Sequence, residues 1–143
     1  MNHDPAPIPP AMEQALIMAA RQAAARAYAP YSRFTVGAAV LTADLEIHSG
    51  CNIENASYGL TICAERTAVF QAVANRLGVP RLLAVAIYTP TAEPTAPCGA
   101  CRQVLNEFGP EALVISVCDG PSEIRVPLGT LLPAAFGPGN LAR

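Results

Sequence analysis

The run LLAVAIYTPTAEPTAPCGACRQVLNEFGPEALVISVCDGPSEIRV, residues 82–126, decides the fold. Its first seven residues, Leu82 to Tyr88, are the longest clean apolar stretch of the chain and read as a strand. Pro97 opens a helix, since its fixed φ and missing N–H suit a first turn, and Gly109 with Pro110 closes it. Ala112 to Cys118 and Glu123 to Val126 read as two more strands. Between them lies only a short polar turn with Asp119, Gly120 and Pro121. A parallel crossover needs about a dozen residues, so these last two strands are expected to form an antiparallel hairpin.

Working outward, Met12 to Tyr28 is Ala-rich, with Leu16, Ile17, Ala20, Ala24 and Ala27 at helical spacing and Pro30 beyond its end. Phe34 to Thr42 and Glu46 to Asn52 read as strands joined by a tight turn near Asp44. Thr61 is the expected N-cap of a helix that runs to about Leu77 and is closed by Gly78 and Pro80. Strands alternating with helices give an α/β domain with a mixed five-stranded sheet. The 143 residues fit one domain, expected over 11–136, with a flexible tail at 1–10 and a C-terminal tail at 137–143. There is no internal repeat and no linker.

Composition narrows the function. All nine basic residues are Arg, which excludes lysine Schiff-base chemistry and a lysine-dependent phosphate loop. A net charge of −2 argues against nucleic acid as a partner. No apolar run reaches the roughly 18 residues of a membrane span, and the Pro-rich N-terminus has no signal-peptide pattern, so a cytoplasmic location without membrane contact is expected. Five cysteines without a secretion signal point to metal ligands or reactive thiols, not to a disulfide framework. At 52% hydrophobic and 14% charged, the chain carries apolar surface suited to subunit contacts.

The chemistry-bearing pieces are Cys63-Ala64-Glu65 and Pro97-Cys98-Gly99-Ala100-Cys101, each at a predicted helix start. Unpaired backbone N–H groups and the positive dipole end there favour thiolate over thiol. Cys98 and Cys101 are one helical turn apart, so their sulfurs share a face, and Cys63 can add a third from the neighbouring helix. Three protein ligands leave the fourth tetrahedral position of zinc open, as catalytic sites do. Taken singly, the residues keep plainer readings. Cys98 and Cys101 fit a structural metal site, although no fourth ligand stands at motif spacing, and Cys51 and Cys118 read as core thiols. Glu65 fits a helix-start acid, Arg66 and Arg102 surface charges, Asn52 a turn residue and Glu54 a solvated acid. Phe34 and Phe136 fit core aromatics, and Gln103 a helix-surface amide.

Together these motifs resemble the cytidine deaminase family, in its short homotetrameric, zinc-dependent branch within the cytidine/deoxycytidylate deaminase superfamily. The resemblance runs from about Tyr31 to Phe136. It rests on residues 31–39 (YSRFTVGAA), 52–59 (NIENASYG), 63–66 (CAER), 97–103 (PCGACRQ) and 131–136 (LLPAAF). His3 and His48 lie outside these segments, and neither is expected to bind metal. The resemblance implies a three-layer α/β/α fold and one zinc per subunit on Cys63, Cys98 and Cys101. It implies Glu65 as the proton carrier in hydrolysis of cytidine or deoxycytidine to uridine or deoxyuridine and ammonia, a step of pyrimidine salvage. Asn52 and Glu54 would hold the sugar hydroxyl, Phe34 would lie against the pyrimidine, and the backbone of Ala64 near its carbonyl. Tyr58 and Phe136 would reach into a neighbouring subunit's site. Three thiolates on a divalent ion leave net negative charge, which Arg66 and Arg102 would offset by hydrogen bonds to the sulfurs. Two competitors remain: a deaminase of an aminonucleoside antibiotic, free base or RNA base, and a non-catalytic zinc module. The Asn52–Glu54 pair and acidic balance oppose the first; Glu65 and the open position oppose the second.

Overall fold

The structure, a computed structural model, describes residues 4–142. In chain order it contains α1 (Pro10–Ala24), β1 (Gly37–Thr42), β2 (Ile47–Cys51), α2 (Ala64–Ala74), β3 (Leu82–Tyr88), α3 (Gly99–Phe108), β4 (Leu113–Val117), β5 (Ile124–Pro127) and a single turn, α4 (Leu128–Leu131). The five strands form one sheet in the order β2-β1-β3-β4-β5. β3 and β4 are parallel, joined through α3, and every other pair is antiparallel, including the expected β4–β5 hairpin.

Alternation along the strands builds the layers. Ala39, Leu41, Ala84 and Ala86 face α1 and pack with Leu16 and Ala20. Ala38, Val40, Val85, Ile87 and Val114 face the other way, toward Ala68, Val69 and Leu105 of α2 and α3. Both helical layers press close. A Cβ on Gly37 would sit 1.9 Å from the Ala20 carbonyl oxygen, and one on Gly50 would sit 2.4 Å from the Ala68 amide nitrogen. No helix among the described residues is long and apolar enough to cross a membrane.

Several boundaries differ from the sequence reading, each because a distant backbone partner wins over local propensity. α1 stops at Ala24, short of Tyr28, because Tyr28 donates its N–H to the Asn52 carbonyl at 3.0 Å and accepts from Glu54 N–H at 2.8 Å. β1 begins at Gly37, not Phe34, because the Asn52 side chain occupies the backbone of residues 34 and 36. α2 begins at Ala64 with Cys63 as its N-cap, not Thr61, because Ile53 and Ile62 exchange backbone hydrogen bonds and keep that stretch extended. It ends at Ala74, before Leu77. α3 likewise starts two residues after Pro97, with Cys98 as N-cap. Of the expected tails, residues 1–3 and 143 lie outside the described residues. Ile8 packs on the α1 side of the core, and Pro138–Asn140 forms a 3₁₀ turn.

Register places the site. Gly37 at the start of β1 lies opposite Cys51 at the end of β2 and Tyr88 at the end of β3. The chain entering β1, the chain leaving β2 and the chain leaving β3 therefore meet at one end of the sheet. For the parallel pair this is the carboxyl end of β3, where α/β sheets commonly place ligands.

Candidate active site

Cys63 is the N-cap of α2, Cys98 is the N-cap of α3, and Cys101 lies in the first turn of α3. Neither capping side chain accepts a hydrogen bond from a backbone amide of its own helix. The Cys63 and Cys98 sulfurs are 3.8 Å apart, and all three sulfurs lie within 4.8 Å of one another. Tetrahedral zinc with bonds of about 2.3 Å sets sulfurs about 3.8 Å apart, so the triad fits zinc. Among the described residues it is the one such cluster, and His48 is not part of it. His3 lies outside the described residues. Cys101 is buried beneath while Cys98 is exposed, so the open side of the triad faces out from the core.

Charge around the sulfurs is arranged to hold thiolate. Arg66 Nη2 donates to Cys63 Sγ at 3.3 Å. Hydrogen bonds from Cys101, Arg66 and Cys98 outweigh burial and bring the Cys63 thiol down to about 5. The same sharing with Cys63, together with burial, pushes the Cys101 thiol up. The thiolate at Cys63 in turn holds the Arg66 guanidinium charged. Arg102 does not join this arrangement. Its Nε donates to the Pro97 carbonyl at 2.7 Å and its Nη1 to the Leu131 carbonyl at 2.9 Å. From the first turn of α3 the side chain reaches back to the Pro97 carbonyl, just before the helix, and across to the Leu131 carbonyl, left unpaired at the end of α4, so the expected bonds to sulfur are replaced by bonds to backbone.

A cavity of about 280 Å³ opens beside the triad, and Cys63, Ala64, Glu65, Cys98, Phe34, Asn52 and Glu54 all line it. Glu65 is only 5% exposed, and burial pushes its carboxyl up. The cavity is also lined by Ser32, Val36, Ile87, Thr95 and Ala96, which the sequence reading did not single out. The available signal was proximity: Thr95 and Ala96 immediately precede the Pro97-Cys98 turn. Thr89, fully buried, holds this loop through hydroxyl contacts of 2.7 Å to Thr91 and 3.4 Å to Thr95.

The polar wall is more committed than its sequence suggested. Asn52, 8% exposed, accepts from Val36 N–H at 2.8 Å and donates to the Phe34 carbonyl at 2.7 Å, leaving one N–H and one lone pair free. It thereby sets the backbone segment on which Phe34 stands. Glu54 accepts the Tyr31 and Ser32 amides at 2.9 and 3.1 Å, and hydrogen bonds from Ser32 and Tyr31 hold its carboxyl below the usual range. Between Ser32 and Phe34, Arg33 adopts φ 57°, a left-handed conformation that costs a non-glycine residue about 1 kcal/mol or more and persists only where neighbours over-determine it.

Two aromatics stand apart. Tyr58 is 73% exposed, packs against Tyr31 with the rings tilted and their centroids 5.5 Å apart, and lines a second cavity of about 380 Å³ that shares Ser32, Glu54 and Thr61 with the first. The Phe136 ring is 58% exposed and does not line this chain's own cavity.

Known proteins are similar to this chain in sequence and fold. The family model for the cytidine and deoxycytidylate deaminase zinc-binding region matches residues 10–117. A cytidine deaminase of Mycobacterium tuberculosis is 51% identical over 87% of this chain and 89% of its own length. One from Sporosarcina psychrophila is 44% identical over 89% and 93%. The crystal structure of cytidine deaminase from Burkholderia pseudomallei, at 49% identity, covers 86% of this chain and 98% of that one with a TM-score of 0.81. With the zinc-binding region matched from α1 through β4 and its three sulfurs gathered at two helix starts, the chain belongs to the cytidine and deoxycytidylate deaminase family.

Proposed function

We propose that this chain hydrolyses cytidine and deoxycytidine to uridine and deoxyuridine with release of ammonia, as a step of pyrimidine salvage. One observation carries the reading: a single cavity is lined by Cys63 and Cys98 of the sulfur triad, by the buried Glu65 and by the Phe34, Asn52 and Glu54 wall. Zinc, when bound on Cys63, Cys98 and Cys101, supplies an open coordination position and acidifies the water that takes it. Glu65 accepts a proton from the attacking water and delivers it to the pyrimidine ring nitrogen while the hydroxyl adds to the carbon bearing the amine. Glu65 then takes the proton of the added hydroxyl and passes it to the amine nitrogen; the C–N bond breaks as the carbonyl forms, and ammonia leaves. Burial raises the basicity of Glu65, which suits a group that must act as base and then acid. Arg66 and the two helix N-termini offset the negative charge of three thiolates and so keep the site acidic enough to work. Zinc content measured alongside ammonia release from cytidine tests the reading. Zinc without ammonia would leave only a metal-binding module.

On this reading Glu54 and the free valences of Asn52 take a sugar hydroxyl, Phe34 lies against the pyrimidine, and the Ala64 backbone meets its carbonyl. A carboxylate in that position repels a phosphate, and like charges in contact cost several kcal/mol. Cytidine and deoxycytidine should therefore react at least about 100-fold more efficiently than cytidine monophosphate, measured as ammonia release. Comparable rates for the monophosphate would contradict the assignment of Glu54.

The active unit we propose is a homotetramer. Tyr28, Tyr31, Phe34, Ile53, Tyr58 and Leu60 all leave apolar surface exposed, and exposed patches of that kind mark interaction sites. Tyr58 and Phe136, both exposed, would complete a neighbour's pocket. Deleting residues 134–143 should lower activity at least about tenfold while zinc content holds, because Phe136 leaves and the ligands stay. Light scattering of the intact protein at assay concentration gives the assembly, and a fully active monomer would sink the shared-pocket model. We place the enzyme in the cytoplasm, whose reducing conditions suit five free thiols, three of them zinc ligands.

A further inference from the structure

The segment after α4 is held from one side only. A cavity of about 530 Å³ is lined by Leu132, Pro133, Ala134 and Ala135 together with Asn106, so packing against that stretch is incomplete. Within it Ala134 adopts φ 52°, a left-handed conformation that persists only where contacts enforce it. The polar edge of α3 supplies those contacts. Gln103 Nε2 donates to the Phe136 carbonyl at 2.9 Å, Asn106 Nδ2 donates to the same oxygen at 3.3 Å, and Arg102 holds the Leu131 carbonyl. Gln103 and Asn106 are three apart and share a helix face. Their two N–H groups use both lone pairs of one carbonyl, which fixes the orientation of that peptide. The ring it carries is left exposed.

We propose that Gln103, assisted by Asn106, is a positioning residue for the neighbouring protomer's substrate pocket: it presents the Phe136 ring in one orientation, ready to enter that pocket. This rests on the shared-pocket reading above. Ordering a loose segment at the moment of docking would cost affinity, and a segment ordered beforehand avoids that cost. Because α3 also carries Cys98 and Cys101, one helix would orient its own metal ligands and its neighbour's aromatic wall.

Gln103 is exposed, and methionine matches its length and helix propensity, so Gln103→Met removes the donor without disturbing the core. In the zinc-loaded full-length enzyme, this variant should raise KM for cytidine about tenfold, with kcat and zinc per chain within about twofold of the parent. A second measurement separates positioning from a general structural role. In a Phe136→Ala background, which itself raises KM, Gln103→Met should have no further effect, because it acts through that ring. Additive effects would overturn the inference, as would a Gln103→Met enzyme with parental KM beside a Phe136→Ala enzyme whose KM has risen. Loss of zinc in Gln103→Met would overturn it too, by placing the side chain in support of the metal helix. If Phe136→Ala leaves KM unchanged, the shared-pocket reading fails and takes this inference with it.

Discussion

Replacing Glu65 by glutamine will lower turnover of cytidine by about 10²- to 10⁴-fold while the chain keeps one zinc. The amide preserves shape and hydrogen-bonding reach but accepts no proton, so both proton transfers lose their carrier. Zinc stays because Glu65 lies outside the sulfur triad that holds it. Stability should move the other way. Burial raises the Glu65 carboxyl above its unfolded value. Above the unfolded value, therefore, the fold pays for ionising a group it disfavours, and that penalty grows as pH rises toward the folded value. A neutral amide removes it, so the Tm of metal-free Glu65→Gln at neutral pH should equal or exceed that of the metal-free parent. Steady-state kinetics, metal analysis and a thermal melt on the same preparation decide the matter. Near-normal turnover would remove Glu65 from the proton path.

Cys98→Ala should take zinc per chain from one to near zero and abolish activity with it. Structural zinc contributes roughly 10–16 kcal/mol to peptide sites with a full ligand set, so losing one of three protein ligands removes a large share of the binding free energy. Cys98 is the cleanest position for the test. Its side chain is exposed, whereas Cys101 is buried and its truncation would also leave a void. The metal-free melting temperature of Cys98→Ala should therefore match that of the metal-free parent, which isolates metal loss from packing loss. Cys63→Ala and Cys101→Ala should lose zinc as well. Full metal occupancy in any of the three, after desalting into chelator-free buffer, would break the ligand set.

What could be read in the sequence was what local chemistry decides. Leu82–Tyr88 forms a strand with the expected limits because it is a continuous apolar run lying centrally in the sheet. The triad was legible because one helical turn between Cys98 and Cys101 leaves little freedom in where the sulfurs go. Boundaries set by distant partners were not legible. Nothing near Phe34 announces that a side chain eighteen residues later will take its carbonyl, yet Asn52 does so and delays β1 to Gly37. Arg102 shows the same limit at the site. Its adjacency to Cys101 suggested bonds to sulfur, and only the fold brings the Leu131 carbonyl within reach. That Phe34 shares a cavity with Asn52 and Glu54 came from family resemblance, since residues 34 and 52 are joined by the Asn52 side-chain hydrogen bond and not by spacing.

The two cysteines that begin α2 and α3 cap nothing. Serine at either position would offer an oxygen to the first free amides of the helix, and a good N-cap is worth about 1 kcal/mol over a poor one. Selection for heat tolerance alone would thus drift toward Ser at 63 and 98, and each such step would discard a metal ligand. Natural or laboratory lineages of this enzyme face a trade-off at two sites where the most stabilising helix start and the working catalyst are different residues. Stability lost there has to be recovered elsewhere, in the tight seating of both helices on the sheet at Gly37 and Gly50, where even an added methyl has no room.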